Sequence, residues 1–286
     1  MNKFLLLFAA LPLLWACKKE TPDPQTEEAK VIFRISVDPS QERLDNLGQP
    51  AAMPAGHAGQ DPDFYEITAH YLELAPSAYT QLGDGAVLYH APEVTTGGDQ
   101  AIDFSQRKAT ASGDIFLEVP ISQFPLGDYE WLRLSLAYQN YGVAFYYNNQ
   151  AFTGRLASFV GYNTYIDTVV VDQQSLAVNA NKLQGFWAFE TPFNLTSGQA
   201  AGTTVPNPLA ASSPIPAGSC IVTGQLDQIL SITGNETEDI EINMSLSTNK
   251  SFEWEDLNGN GKWDVGPNNP ESVVDMGLRG LKAFVD

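Results

Sequence analysis

Cysteine is nearly missing from this chain: Cys17 and Cys220 are the two it has, too few for a disulfide framework. Basic residues are scarce as well, 15 against 34 acidic ones, and a formal charge of −19 makes nucleic acid an unfit partner. Helical periodicity is absent, because no extended window keeps apolar spacing of three and four without a Gly, Pro or β-branched interruption. After Ala16 no apolar run approaches the roughly 20 residues that a membrane-spanning helix needs. Nucleophile elbows, HExxH zinc helices, P-loops and dinucleotide fingerprints are all missing, so the chain is read as a binder and not an enzyme.

What is plentiful is strand signal. VIFRISVD (31–38), YEITAHYLEL (65–74), AVLYHA (86–91), DIFLEVPI (114–121) and DYEWLRLSLAY (128–138) alternate apolar and polar residues, as strands with one face inward do. GVAFYYN, TYIDTVVVD, GFWAFET, CIVTGQLDQIL and DIEINMSLST continue the pattern. Many short strands imply an all-β fold, an antiparallel β-sandwich with long loops and little helix. Two Gly/Pro/Ala/Ser-rich segments, 39–63 and 194–218, read as those long loops, the second alternatively as a boundary between subdomains. Cys220, within SCIVTGQL, reads as a small buried hydrophobe.

The N-terminus, MNKFLLLFAALPLLWAC, has one Lys, an apolar run from Phe4 to Ala16, and Ala16 just before Cys17. It reads as a signal peptide over residues 1–16. LWAC resembles the lipobox of bacterial lipoproteins, with Trp15 in place of the usual small residue. The resemblance implies acylation at Cys17, a membrane partner through that anchor, and an outer-membrane lipoprotein of the cell envelope, periplasmic or surface-facing. The polar, proline-bearing stretch from residue 17 to 30 then serves as a flexible tether, and residues 31–286 form the folded region.

Near the C-terminus, DLNGNGKWD follows the strand-like SFEWE and resembles an EF-hand-type calcium loop. Calcium takes six to eight oxygens, and a tight turn with carbonyl-bearing side chains at every second residue aims them at one point. The resemblance makes Asp256, Asn258 and Asn260 ligands, with the main-chain carbonyl of Lys262, and Asp264 at the ninth loop position. Pro267 stands where a loop of this type has its bidentate glutamate, so closure falls to Glu271, Asp275 or Glu253. The flanks look like strands, which suits a structural, weakly bound calcium ion. Without metal the same residues would make an Asn-Gly turn.

The three histidines, His57, His70 and His90, fall in the first third of the chain and could form a copper or zinc site if the strands bring them together. Alternation along ITAHYLEL puts His70 on the face of Thr68 and Leu72. The segment order from residue 31 to about 145, with its turn at Pro125, Gly127 and Tyr129, resembles the copper-associated MbnP-like envelope proteins. That resemblance implies copper handling, with the same three histidines as the available ligands. A further reading rests on YQNYGVAFYYNNQAF, where Tyr141, Tyr146 and Tyr147 among amides have the chemistry of a sugar-stacking platform or of ordinary strand packing. The functional expectation is a lipid-anchored envelope binder acting on a surface partner, either a glycan or an envelope protein, with copper handling as the alternative.

Overall fold

The computed structural model describes residues 28–45, 47–200, 213–267 and 270–286. Cys17, the segment read as a signal peptide and most of the one read as a tether lie outside them, as does much of the segment from 194 to 218. The described chain is all-β and sandwich-like, with two single-turn 3-10 segments at Phe104–Gln106 and Ile121–Gln123. No helix among the described residues is long and apolar enough to cross a membrane.

Seven strands precede the longest one: β1 (Lys30–Asp38), β2 (His57–Gln60), β3 (Asp63–Ala75), β4 (Ala86–His90), β5 (Glu93–Val94), β6 (Ala101–Asp103) and β7 (Ile115–Pro120). β8 (Gly127–Tyr147) is followed by β9 (Gln150–Phe159), β10 (Asn163–Val170), β11 (Ser175–Leu183), β12 (Phe186–Glu190) and β13 (Leu195–Gln199). The chain ends with β14 (Cys220–Ile232), β15 (Ile240–Ser247), β16 (Phe252–Glu255), β17 (Val273–Met276) and β18 (Leu281–Val285). Both segments read as loops contain strand: β2 lies within 39–63 and β13 within 194–218. Their Gly- and Pro-rich composition hid strands of four and five residues, too short to carry a period of their own.

β8 organises the main sheet. Residues 131–142 pair antiparallel with β3 along one edge, while the other edge is shared end to end by β14, against 127–136, and β9, against 138–147. β8 turns into β9 through Asn148 and Asn149, both at positive φ, which is the two-residue hairpin geometry that asparagine tolerates. Beyond β14 the sheet continues through β18, β15, β1 and β7, and beyond β9 through β12 and β13. Pairing is mostly antiparallel, with parallel contacts joining β1 to β15, β14 to β18 and β6 to β10. Two smaller sheets, β11-β10-β6-β5 and β17-β16-β2, complete the layers.

The cores follow β8 along its length. Leu132, Leu134 and Leu136 join Phe33, Ile35, Leu72 and Met244 in the largest, Tyr138 belongs to a second with Phe104 and Phe159, and Tyr141, Val143 and Phe145 to a third. Residues 132–141 are all buried, but the side chains that join these three cores are even-numbered from Leu132 to Tyr138 and odd-numbered from Tyr141 to Phe145. The register against β3 slips at Ala137, opposite the Thr68–Ala69 step, just before this change of parity between Tyr138 and Tyr141. Cys220 packs against the largest core, and burial pushes its thiol up to about 12, so it is un-ionised at neutral pH. The turn before β8 is closed by Tyr129, whose hydroxyl donates to the Pro125 carbonyl at 2.8 Å.

A buried charge cluster pins the β17-β16-β2 sheet to the segment before it. Glu253 on β16, 2% exposed, accepts hydrogen bonds from Arg43 and from His57 Nδ1 at 2.6 Å, with Arg279 at 3.5 Å. Burial opposes ionisation of Glu253, but the His57 and Arg43 hydrogen bonds outweigh it and hold the carboxyl below the usual range. Removing one partner of such a cluster strands the others, at about 3–5 kcal/mol.

Glu253→Gln is therefore expected to cost about 3 kcal/mol at pH 7, read by urea unfolding. In the wild type this stabilisation is present above the ordinary glutamate value of 4.5 and is lost as pH falls through the depressed folded value. The variant should show a smaller loss of stability across that acidic window; equal losses would contradict the assignment. Leu134→Ala, at a fully buried site in the largest core, is expected to cost about 2–5 kcal/mol in the same assay.

Candidate metal centre

Among the described residues, His70, His90 and Glu93 form a group whose ligand atoms all lie within 4.8 Å of one another. Each arrives by a different local route. His70 is the extra residue of a β-bulge, since Ala69 pairs with Leu136 and Tyr71 with Ser135, leaving His70 without a partner on β8. Register shifts lie between Thr68 and Ala69 and across His70 itself, which interrupts the simple alternation with Thr68 and Leu72, and residues 67–75 are buried throughout. His90 ends β4 opposite Tyr71, and the Ala91 N–H donates to the His70 carbonyl at 2.7 Å, drawing the two histidines together. Their rings meet edge to face with centroids 4.7 Å apart.

Glu93, which the sequence reading missed, begins β5 three residues after His90. Its Oε1 lies 2.9 Å from His70 Nε2 and 3.9 Å from His90 Nε2, and accepts the Tyr162 hydroxyl at 3.0 Å. Gln100 donates to Oε2, so both carboxylate oxygens are held. The available signal was the spacing in HAPE, where a proline carries the chain from the end of one strand to the start of the next.

The electrostatics suit a cation. Burial lowers the His70 pKa, against the hydrogen bond that Nε2–H donates to Glu93, so the ring is neutral at pH 7 and keeps one nitrogen lone pair, on Nδ1 in that tautomer. The His70 hydrogen bond is the main cause that brings Glu93 down to about 2, with burial opposing, so the carboxylate is ionised. His90 Nδ1 lies 3.2 Å from the Ala91 carbonyl, which in the Nδ1–H tautomer leaves Nε2 free to ligate. His70 Nδ1 is buried with no hydrogen-bond partner. Loss of solvation, reinforced by the negative charge of Glu93, raises the Tyr162 pKa, so its hydroxyl stays a donor to Glu93 and not a competing anion. One ionised carboxylate and two imidazoles, with the His90 side chain substantially exposed, would make a three-ligand set open on one side.

His57 is not part of this group. It sits on β2, in a different sheet, bound to Glu253. The expectation of a three-histidine site is corrected to two histidines and a carboxylate, because strand pairing and not sequence distance decides which side chains meet.

The C-terminal loop from Asp256 to Asp264 turns its polar side chains toward its own backbone and toward one another. Asp256 accepts the Asn260 and Gly261 N–H groups at 3.1 and 2.9 Å, Asn258 accepts the Asn260 N–H at 3.0 Å, and Asn260 accepts that of Lys262 at 2.7 Å. Gly259 and Gly261 both have positive φ, which lets the chain turn this tightly. The amides of Asn258 and Asn260 each donate to Asp264 Oδ2 at 2.9 Å. Glu271 reaches back to accept the Leu257 and Asp264 N–H groups, both at 3.0 Å. Of the three closing carboxylates considered, Glu271 is the one at the loop, whereas Glu253 and Asp275 are engaged with Arg279. The residue types fit calcium, with three carboxylates, two amides and the Lys262 carbonyl available, and both asparagines would need to turn their oxygens toward the ion.

The tyrosines part company. Tyr141 is 1% exposed and donates to the Met276 carbonyl at 2.6 Å, so it is a core residue and no sugar platform. Tyr146 packs against the Lys262 ammonium, and Tyr147 is exposed beside Phe193. No protein-family model matches the sequence, and no curated protein and no solved structure matches it.

For the loop, saturating calcium at about 100 times its dissociation constant should add about 2.7 kcal/mol of stability, visible as a rise in melting temperature. Asp256→Ala and Glu271→Gln should each remove most of that rise, and calcium-independent melting of the wild type would make the loop a plain turn.

Proposed function

We propose that this protein binds a divalent transition metal through His70, His90 and Glu93, as a lipid-anchored component of the bacterial cell envelope that acts by binding and not by catalysis. The observation that carries this reading is the approach of the three ligand atoms to within 4.8 Å. Imidazole nitrogens with one carboxylate suit copper and zinc, and copper(II) leads on intrinsic affinity. Three protein ligands leave room for a fourth from solvent or from a partner, which suits a protein that takes up and passes on its metal more than one that uses it as a staple.

The surroundings support the same reading. Tyr162 and Gln100 hold the carboxylate, and the His90 contact to a backbone carbonyl fixes its ring, the kind of outer support that metal ligands receive. The segment layout resembling MbnP-like proteins points the same way. The lipid anchor at Cys17 rests on the sequence. Calcium in the loop between Asp256 and Glu271 would be a stabilising ion, distinct from the functional one.

Dialysis of the purified protein against copper(II) or zinc, followed by elemental analysis, tests the proposal. About one equivalent is expected, with His70→Gln, His90→Gln and Glu93→Gln each weakening binding at least tenfold, while His57→Gln retains it. Tyr162→Phe should weaken it about 10–100-fold. Full retention of metal by the His70 and His90 variants would overturn the proposal.

A further inference from the structure

A cleft of about 780 Å³ opens at the end of β8, lined by residues of β8, β12, the β12–β13 turn, the calcium-type loop and β17. Aromatic side chains dominate it, among them Phe145, Trp187, Phe189, Phe193 and Trp263. None of its lining residues shares in the metal cluster, so whatever it holds is a separate matter.

Two features distinguish this cleft from a gap in the core. The first is charge. Asp, Glu, Lys and Arg make up 17% of the chain, yet none lines the cleft, whose polar groups are the neutral Thr191, Asn194, Thr196 and Ser272. A pocket with that lining repays the desolvation of an uncharged ligand and not of an ionised one. The second is Phe193. It sits in the tight turn from Thr191 to Asn194, where small polar residues are usual, and is 63% exposed. Its ring meets Phe152 at 4.9 Å and Tyr147, itself 41% exposed, at 6.4 Å. Core packing gives no reason for that exposure, whereas an apolar ligand seated between Phe193 and the rest of the lining would cover it.

We infer that this cleft binds an uncharged small molecule with a flat, apolar body. A saccharide fits less well, since its many hydroxyls would face aromatic faces with few acceptors and no carboxylate. The volume lies within the range of pockets that enclose a small organic ligand. Trp263 forms part of the lining while its indole N–H donates to the Glu271 carbonyl at 3.2 Å, so the calcium-type loop holds one side of the cleft in place.

The test is a fluorescence titration of the purified protein with N-phenyl-1-naphthylamine, a neutral dye that brightens in apolar surroundings. Saturable binding is expected, weakened at least tenfold in Phe193→Ala and in Trp187→Ala, and unchanged in Tyr79→Ala, whose ring is 97% exposed and outside the cleft. Phe193→Ala removes an exposed side chain and should leave the circular dichroism spectrum and melting temperature as they are, so its loss of binding cannot be ascribed to unfolding. Absence of saturable binding by the folded wild type would overturn the inference, as would equal binding by all four proteins. Retention on immobilised neutral oligosaccharide, lost in Phe193→Ala, without dye binding would overturn it in favour of a sugar.

Discussion

A strand of 21 residues rises about 70 Å at the ordinary spacing, longer than any neighbour in this sheet can match. Its backbone groups must be paired wherever they are buried, so β8 takes β3 along one edge and two strands in tandem, β14 and β9, along the other. The junction between those two is bridged by Ala137, whose carbonyl accepts both the Val160 and Gly161 N–H groups. From this one constraint follow the succession of three cores and the change in parity of the residues that join them near the middle of the strand. The bulge that frees His70 from the ladder lies opposite the same stretch. The candidate metal cluster is thus a by-product of how β3 and β8 accommodate an imperfect register.

The charged interior obeys a related rule. An acidic chain has few cations to spend, and it places several of them where a buried carboxylate needs one. Arg43 and Arg279 converge on Glu253, and Arg133 lies 3.7 Å from the fully buried Glu73. Glu73 also accepts the Gly83 and Gly85 N–H groups and the Tyr71 hydroxyl, and Glu190 gathers the N–H groups of Asp172, Gln173 and Gln174. These carboxylates tie loops to strands and are satisfied within the fold. Glu93 differs in facing two imidazoles, one of them neutral and buried, which is why it and not the others is proposed as a ligand.

The three regions given a binding role are built on different kinds of support. The candidate metal cluster rests on a bulge within β3 and on the ends of β4 and β5, the loop between Asp256 and Glu271 on its own side-chain contacts, and the apolar cleft on the far half of β8. The loop and the cleft share Trp263. Its backbone carbonyl accepts the Tyr146 N–H and the Val265 N–H donates to the Tyr146 carbonyl, stitching the loop to the hairpin.

The sequence by itself determined the all-β class and the position of most strands, because alternation along VIFRISVD or DIEINMSLST reports local burial that any sandwich must respect. It also marked out the turn from Asp256 to Asp264, whose polar side chains are close in the chain, but left open which of Glu271, Asp275 and Glu253 reaches it, and the fold brings Glu271 there. Tertiary structure alone decided that His70 and His90 meet and His57 does not, that Glu93 joins them, and that Tyr141 is buried while Tyr147 is exposed. Those outcomes depend on which strands pair and where the register slips. The free energies that settle pairing and register come from contacts between residues far apart in the chain, and a period-two pattern carries no record of them.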